Sequence, residues 1–255
     1  MWWQQYKKEI LGNRVELVLL IGGYLLWTLF LASRVGRWDE DAILALYFAP
    51  ASGIFPLWTL WTSVQLYRQE WRENTSYLML SLPVRARTIT SAKLAMLLTG
   101  VAGFMLLFAA GGWLLFERTG ILADMRATNV FALVPVEWIV KMGLLGFGSV
   151  LFGVLVVALV AQVAYVFSRM FGRLRGLVMV WTWVLLFWLM ARVGDVAVRW
   201  LGFLPELHMR MLSVRNGIPQ FELLAMESGP IVAMVLFAAG LFALLNAMLE
   251  RAVEV

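Results

Sequence analysis

Apolar residues run almost unbroken along this chain in blocks of about twenty, the length a helix needs to cross a hydrocarbon core of roughly 30 Å, and short polar breaks separate them. The blocks predict six spanning helices, at 15–33, 42–66, 93–116, 139–167, 177–193 and 230–249. The second contains Pro50, Gly53 and Pro56 and is predicted to kink or split, because proline removes a backbone donor and clashes with the preceding turn. The fifth is rich in tryptophan, at Trp181, Trp183 and Trp188.

Two polar stretches interrupt this pattern informatively. Residues 1–14 are too polar to span. Trp3, Tyr6 and Ile10 share one face at helical spacing with Trp2 nearby, while Lys7 and Lys8 fall elsewhere. That pattern predicts an amphipathic helix in the membrane interface, with Trp2, Trp3 and Tyr6 at the headgroups and Lys7 and Lys8 toward anionic lipid. The second stretch, 67–92, is strongly charged between two apolar spans. Asn74 or Thr75 is suited to cap a helix start. Tyr77, Leu78, Leu80 and Leu82 form an apolar patch too short to cross a bilayer, and Pro83 ends any regular helix there. Arg85, Arg87 and Lys93 then lead into the third span. A short apolar helix face in a water-exposed loop lies on the bilayer, packs on the chain's own helices, or fills a groove on a partner.

Composition strengthens the membrane reading. The 255 residues are 62% hydrophobic and 15% charged, against roughly 45–50% and 25% in soluble domains, and the mean hydropathy is +0.81. The first apolar block is too long for a cleavable signal and follows an amphipathic segment. With the N-terminus inside, twelve of the 21 Lys and Arg fall on the cytoplasmic side, and the short loop 168–176 alone carries Arg169, Arg173 and Arg175. The positive-inside rule therefore predicts two cytoplasmic termini. The net charge of +5 reflects this topology; no basic groove with stacking aromatics points to nucleic acid.

Several chemistries are excluded. Cysteine is absent, and the single histidine, His208, falls in the outer loop 194–229, so thiolate or His-rich metal sites and an intramembrane Ser–His dyad are not available. No G-x-x-x-x-G-K-[ST] phosphate loop occurs. The glycines from Gly143 to Gly153, like Gly100, Gly103, Gly111 and Gly112, are expected to serve close helix packing. The spans are nearly free of charge, whereas secondary transporters and channels place ionisable groups at mid-span. Lys141 is expected to pair with Glu137 near a span end, and Tyr24, Gln65, Gln162 and Asn246 to make hydrogen bonds between helices.

The run Glu70-Trp71-Arg72-Glu73-Asn74-Thr75, followed by Leu78-Met79-Leu80-Ser81-Leu82-Pro83-Val84-Arg85 and then Lys93, resembles the first cytoplasmic loop of ABC-2-type transporter permeases. That family usually shows an acidic residue, a Gly-Thr pair, a Leu-Leu-Ser-x-Pro-Val-Ser-Arg-like run and a Lys opening the next span. This chain has Asn74 in place of the Gly and Arg85 where Ser is common. The resemblance implies an all-α membrane protein of type V exporter-like architecture, with an interfacial helix at 1–14 and a single six-span domain at 15–255. It implies a coupling helix around 74–83 docked on an ATP-binding subunit. Glu70, Arg72, Glu73, Asn74, Thr75, Leu78, Leu80, Pro83, Val84 and Arg85 would form that contact. Glu70 and Glu73 would face basic residues of the partner, while Leu80 and Leu82 fill its groove. ATP and Mg would sit on the partner, expected in two copies, with no cofactor on this chain. A second permease would complete a homodimer or heterodimer in a bacterial plasma membrane. The outer loop 194–229 is either a re-entrant hairpin, as the resemblance suggests, or an interfacial segment. The alternative function is a secondary transporter or channel without an ATPase.

Overall fold

The computed structural model describes residues 1–72, 85–127, 136–215 and 218–251. Nine helices and one β-hairpin make up the described chain: α1 (Trp2–Gly12), α2 (Arg14–Ala32), α3 (Glu40–Ser52), α4 (Ile54–Arg72), α5 (Ala86–Arg118), α6 (Ile121–Ala127), α7 (Val136–Ser168), α8 (Arg175–Trp200), β1 (Leu207–Arg215), β2 (Ile218–Met226) and α9 (Gly229–Arg251). Six helical segments are long and apolar enough to cross a membrane, α3 and α4 together forming one. Each lies where an apolar block predicts it. Several overrun the block into polar residues: α5 begins at Ala86 and α8 continues to Trp200. Hydropathy marks the hydrocarbon-length part of a helix, not where its backbone hydrogen bonding stops.

Two compact units divide the chain, Met1–Ala158 and Leu159–Val255. The core of the first contains Tyr24, Leu31, Ile43, Tyr47, Phe55, Val101, Phe104 and Leu115. Phe55 stacks on Phe104 with ring centroids 4.0 Å apart, and Tyr47 on Phe108 at 4.9 Å. The Tyr47 hydroxyl donates to the Phe108 carbonyl. Gly111 and Gly112 admit it: a Cβ at Gly111 would lie 3.0 Å from Tyr47 Oη and 3.0 Å from Thr28 Cγ2.

The split in the second span has a specific compensation. Pro50 lies inside α3 and has no N–H to give the Leu46 carbonyl four residues back. The Trp27 indole N–H on α2 donates to that carbonyl instead, at 3.1 Å. The helix then breaks at Gly53, and Pro56 sits in the first turn of α4, where backbone N–H groups have no intrahelical partner. In a bilayer such a freed carbonyl must be satisfied internally, and here a neighbouring helix does it.

Close packing at glycine is confined to some of the expected positions. A Cβ at Gly100 would meet Leu17 and Trp58 at 3.1 Å, but Gly103, Gly143, Gly146, Gly148 and Gly153 have nothing within 4 Å among the described residues. The Gly143–Gly153 series therefore meets no close neighbour among the described residues of the chain. The expected Glu137–Lys141 pair is also absent from the ion pairs of the described residues, whereas Arg192 and Asp195 approach to 3.9 Å.

In the second unit α8 packs against α9. The segment predicted as a re-entrant or interfacial stretch folds as the end of α8 followed by an antiparallel hairpin, with Leu207 opposite Met226 and Arg215 opposite Ile218. Ser228 Oγ donates to the Pro205 carbonyl at 2.8 Å, bracing the hairpin base. Gln162, in α7, is fully buried, and neither its amide oxygen nor its nitrogen has a hydrogen-bond partner among the described residues. Asn246 donates to Phe242 O of its own helix at 2.7 Å.

Candidate coupling site

The polar break leaves α4 at Arg72 and rejoins the described chain at Arg85, the residue before α5. The two helix ends that bracket it are held together by one buried lysine. Lys93 Nζ lies 2.9 Å from Glu9 Oε1, 3.0 Å from Glu70 Oε1 and 2.8 Å from the Leu66 carbonyl. A lysine ammonium has three donors and no acceptor, so each N–H has one acceptor here. Lys93 has no exposed surface and Glu9 and Glu70 are buried. The second carboxylate is offset by Lys8, 3.1 Å from Glu70 Oε1, whose own side chain is 58% exposed. Two lysines and two glutamates make the cluster formally neutral, which is how buried charge is tolerated.

Further contacts extend the joint. The Lys93 ammonium lies 5.2 Å from the centre of the Tyr67 ring, and Tyr67 donates to Thr90 Oγ1 at 3.3 Å. Trp2 Nε1 donates to Ser91 Oγ at 3.0 Å, and the Tyr6 and Thr99 hydroxyls are 2.9 Å apart. Helix α1 is thus fastened along α5 at Ser91, Lys93 and Thr99, and α4 is fastened to α5 at Lys93 and Thr90. These hydrogen bonds and ion pairs tie α1, α4 and α5 together beside the break.

These contacts change the reading of individual residues. Glu70, expected to face basic residues of a partner, turns its carboxylate inward to Lys93 and Lys8, because a buried lysine needs acceptors that water cannot supply. Trp2 and Tyr6, expected at the headgroups, spend their polar atoms on α5, although Trp2 and Trp3 remain 41% and 59% exposed and stack with Tyr6. Lys8 pairs with Glu70, while Lys7, Arg72 and Arg85 are exposed. Glu73, Asn74, Thr75, Leu78, Leu80, Pro83 and Val84 lie outside the described residues. Glu9 was not singled out by sequence. Its only signal is that it is the one acidic residue in a basic N-terminal stretch.

Six membrane-length helices in a helical fold define a multi-pass membrane protein. A family model described as ABC-2 family transporter protein matches residues 17–174, more than half of the chain. The chain belongs to that family: it is a permease of an ABC transporter, a class of non-catalytic membrane subunit whose membership implies an ATP-binding partner. No curated protein and no solved structure matches it.

Proposed function

We propose that this chain is the membrane subunit of an ATP-driven exporter, moving a hydrophobic or amphiphilic substrate such as a peptide, antibiotic or lipid across the plasma membrane. A separate ATP-binding subunit docks on loop 67–92, with Glu73, Leu78, Leu80 and Pro83 in the contact. Two such subunits serve a pair of permeases, and both termini face the cytoplasm. Closure of the ATP-binding subunits pushes on the loop, and the spans answer as rigid bodies.

One observation carries this reading: the joint at Lys93. A loop that transmits force must be anchored stiffly at both ends. Here both ends, and the N-terminal helix as well, meet on a single buried ammonium. The nearly charge-free spans suit an apolar cargo and an external energy source. The exposed indoles of Trp2 and Trp3, with Lys7 beside them, hold the outer side of α1 in the interface.

The chain has no cysteine, so Thr75→Cys and Leu80→Cys each introduce one unique thiol. In native membranes a thiol-to-amine cross-linker at these positions should capture an ATP-binding protein, and Ile54→Cys at the far end of α4 should not. Capture of nothing at 75 or 80, with both variants inserted normally, contradicts the docking.

A further inference from the structure

A second feature concerns the other unit and rests only on the membrane reading, not on the ATPase. Between the end of α7, the start of α8 and the end of α9 runs an apolar groove of about 800 Å³, within the roughly 300–1,000 Å³ of ligand sites. Its floor is buried Val163, Leu186 and Met248, and its half-open walls include Phe167, Trp181 and Leu244. Met170 and Leu177 carry the lining up to the loop 169–174.

That loop is basic. Arg173 and Arg175 are exposed and make no ion pair among the described residues. Arg169 is held against the Tyr165 ring at 5.0 Å. The loop also delivers the N-terminus of the 26-residue helix α8, whose N-cap is Leu174. Leucine has no side-chain acceptor, no cap hydrogen bond forms, and the first turn contains no acidic residue. The first amides of α8 therefore point outward with the positive end of the helix dipole, a ready anion site. Gly176 within that turn has open space where a Cβ would stand. Glu250, exposed two residues beyond Met248, is the acidic residue nearest the groove in α9, and it leaves the rim net positive.

We infer that this groove holds a resident anionic phospholipid of the bilayer, its acyl chains along Trp181 and Leu244 and its phosphate at the α8 N-terminus between Arg173 and Arg175. Charge decides among occupants. A second copy docked with this rim on its two-fold axis would bring its own arginines against these. A soluble partner does not reach a groove walled by membrane-spanning helices. An anionic lipid satisfies the uncapped amides, the arginines and the apolar floor at once.

The test uses the full chain purified in mild detergent and equilibrated with equal phosphatidylglycerol and phosphatidylcholine, read by native mass spectrometry. Wild type should retain phosphatidylglycerol preferentially. Arg173→Gln and Arg175→Gln should each weaken retention about fivefold, and together about thirtyfold, at about 1 kcal/mol per basic residue at an anionic headgroup. Leu244→Trp, which fills the groove, should lower retention with the arginines intact, and Arg37→Gln should not. Unchanged thermal unfolding of the arginine variants will show that they fold. Equal retention of the two lipids, or unchanged phosphatidylglycerol in the double variant, would overturn the inference and leave the exporter reading untouched.

Discussion

Lys93 Nζ stands 2.9 Å from Glu9 Oε1 across 84 positions of sequence, which makes the N-terminal helix part of the joint that holds the polar break. Removing one partner of such a buried pair leaves uncompensated charge and costs about 3–5 kcal/mol. Lys93→Met should therefore lower stability by about that amount, measured by thermal unfolding in detergent. Lys8→Ala, at the 58% exposed end of the cluster, should cost no more than about 1 kcal/mol. Equal effects from the two would mean that the cluster is not organised around Lys93.

The Trp27 indole replaces the donor that Pro50 lacks. Trp27→Phe should cost about 1–3 kcal/mol, the usual range for a buried acceptor left without its donor. Pro50→Ala supplies the N–H within α3 itself. The double variant should then lose less than Trp27→Phe alone, and a double-mutant cycle on unfolding measures the difference.

Sequence and structure agree where the physics is local. Span positions follow from hydropathy, because crossing a bilayer is a demand on each segment by itself. The break at Pro50–Pro56 follows from the missing donor. The joint was hidden for the opposite reason. Lys93 reads as a charge opening a span, Glu70 as a solvated acid and Glu9 as nothing in particular, and only the packing of α1 and α4 on α5 brings them within 3.0 Å. The two-stranded ladder was hidden too, because the pairing of β1 with β2 is a contact between segments, and the loop 194–229 is read only as re-entrant or interfacial.

Glycines divide by what a Cβ would meet. Gly111→Ala should destabilise by about 1–3 kcal/mol, since the new methyl pushes on Tyr47 and Thr28. Gly146→Ala, with open space around it, should be neutral or slightly stabilising, because alanine restrains the unfolded chain more than glycine does. Thermal unfolding of the two variants side by side checks the contrast.

Gln162 carries a buried amide without partners among the described residues. Gln162→Leu, of similar volume, should raise thermal stability by about 1–3 kcal/mol. A fall in stability would show that the amide is satisfied in the membrane by a group such as bound water.

The most direct measurement is recovery of partners by tagged protein from its native membrane in mild detergent, wild type beside Leu80→Asp and Glu73→Arg. The account predicts a P-loop ATP-binding subunit with wild type and its loss from both variants, with the permease itself still stable. A stable wild-type preparation that brings down no such subunit would contradict it and make a transporter or channel without an ATPase the leading reading.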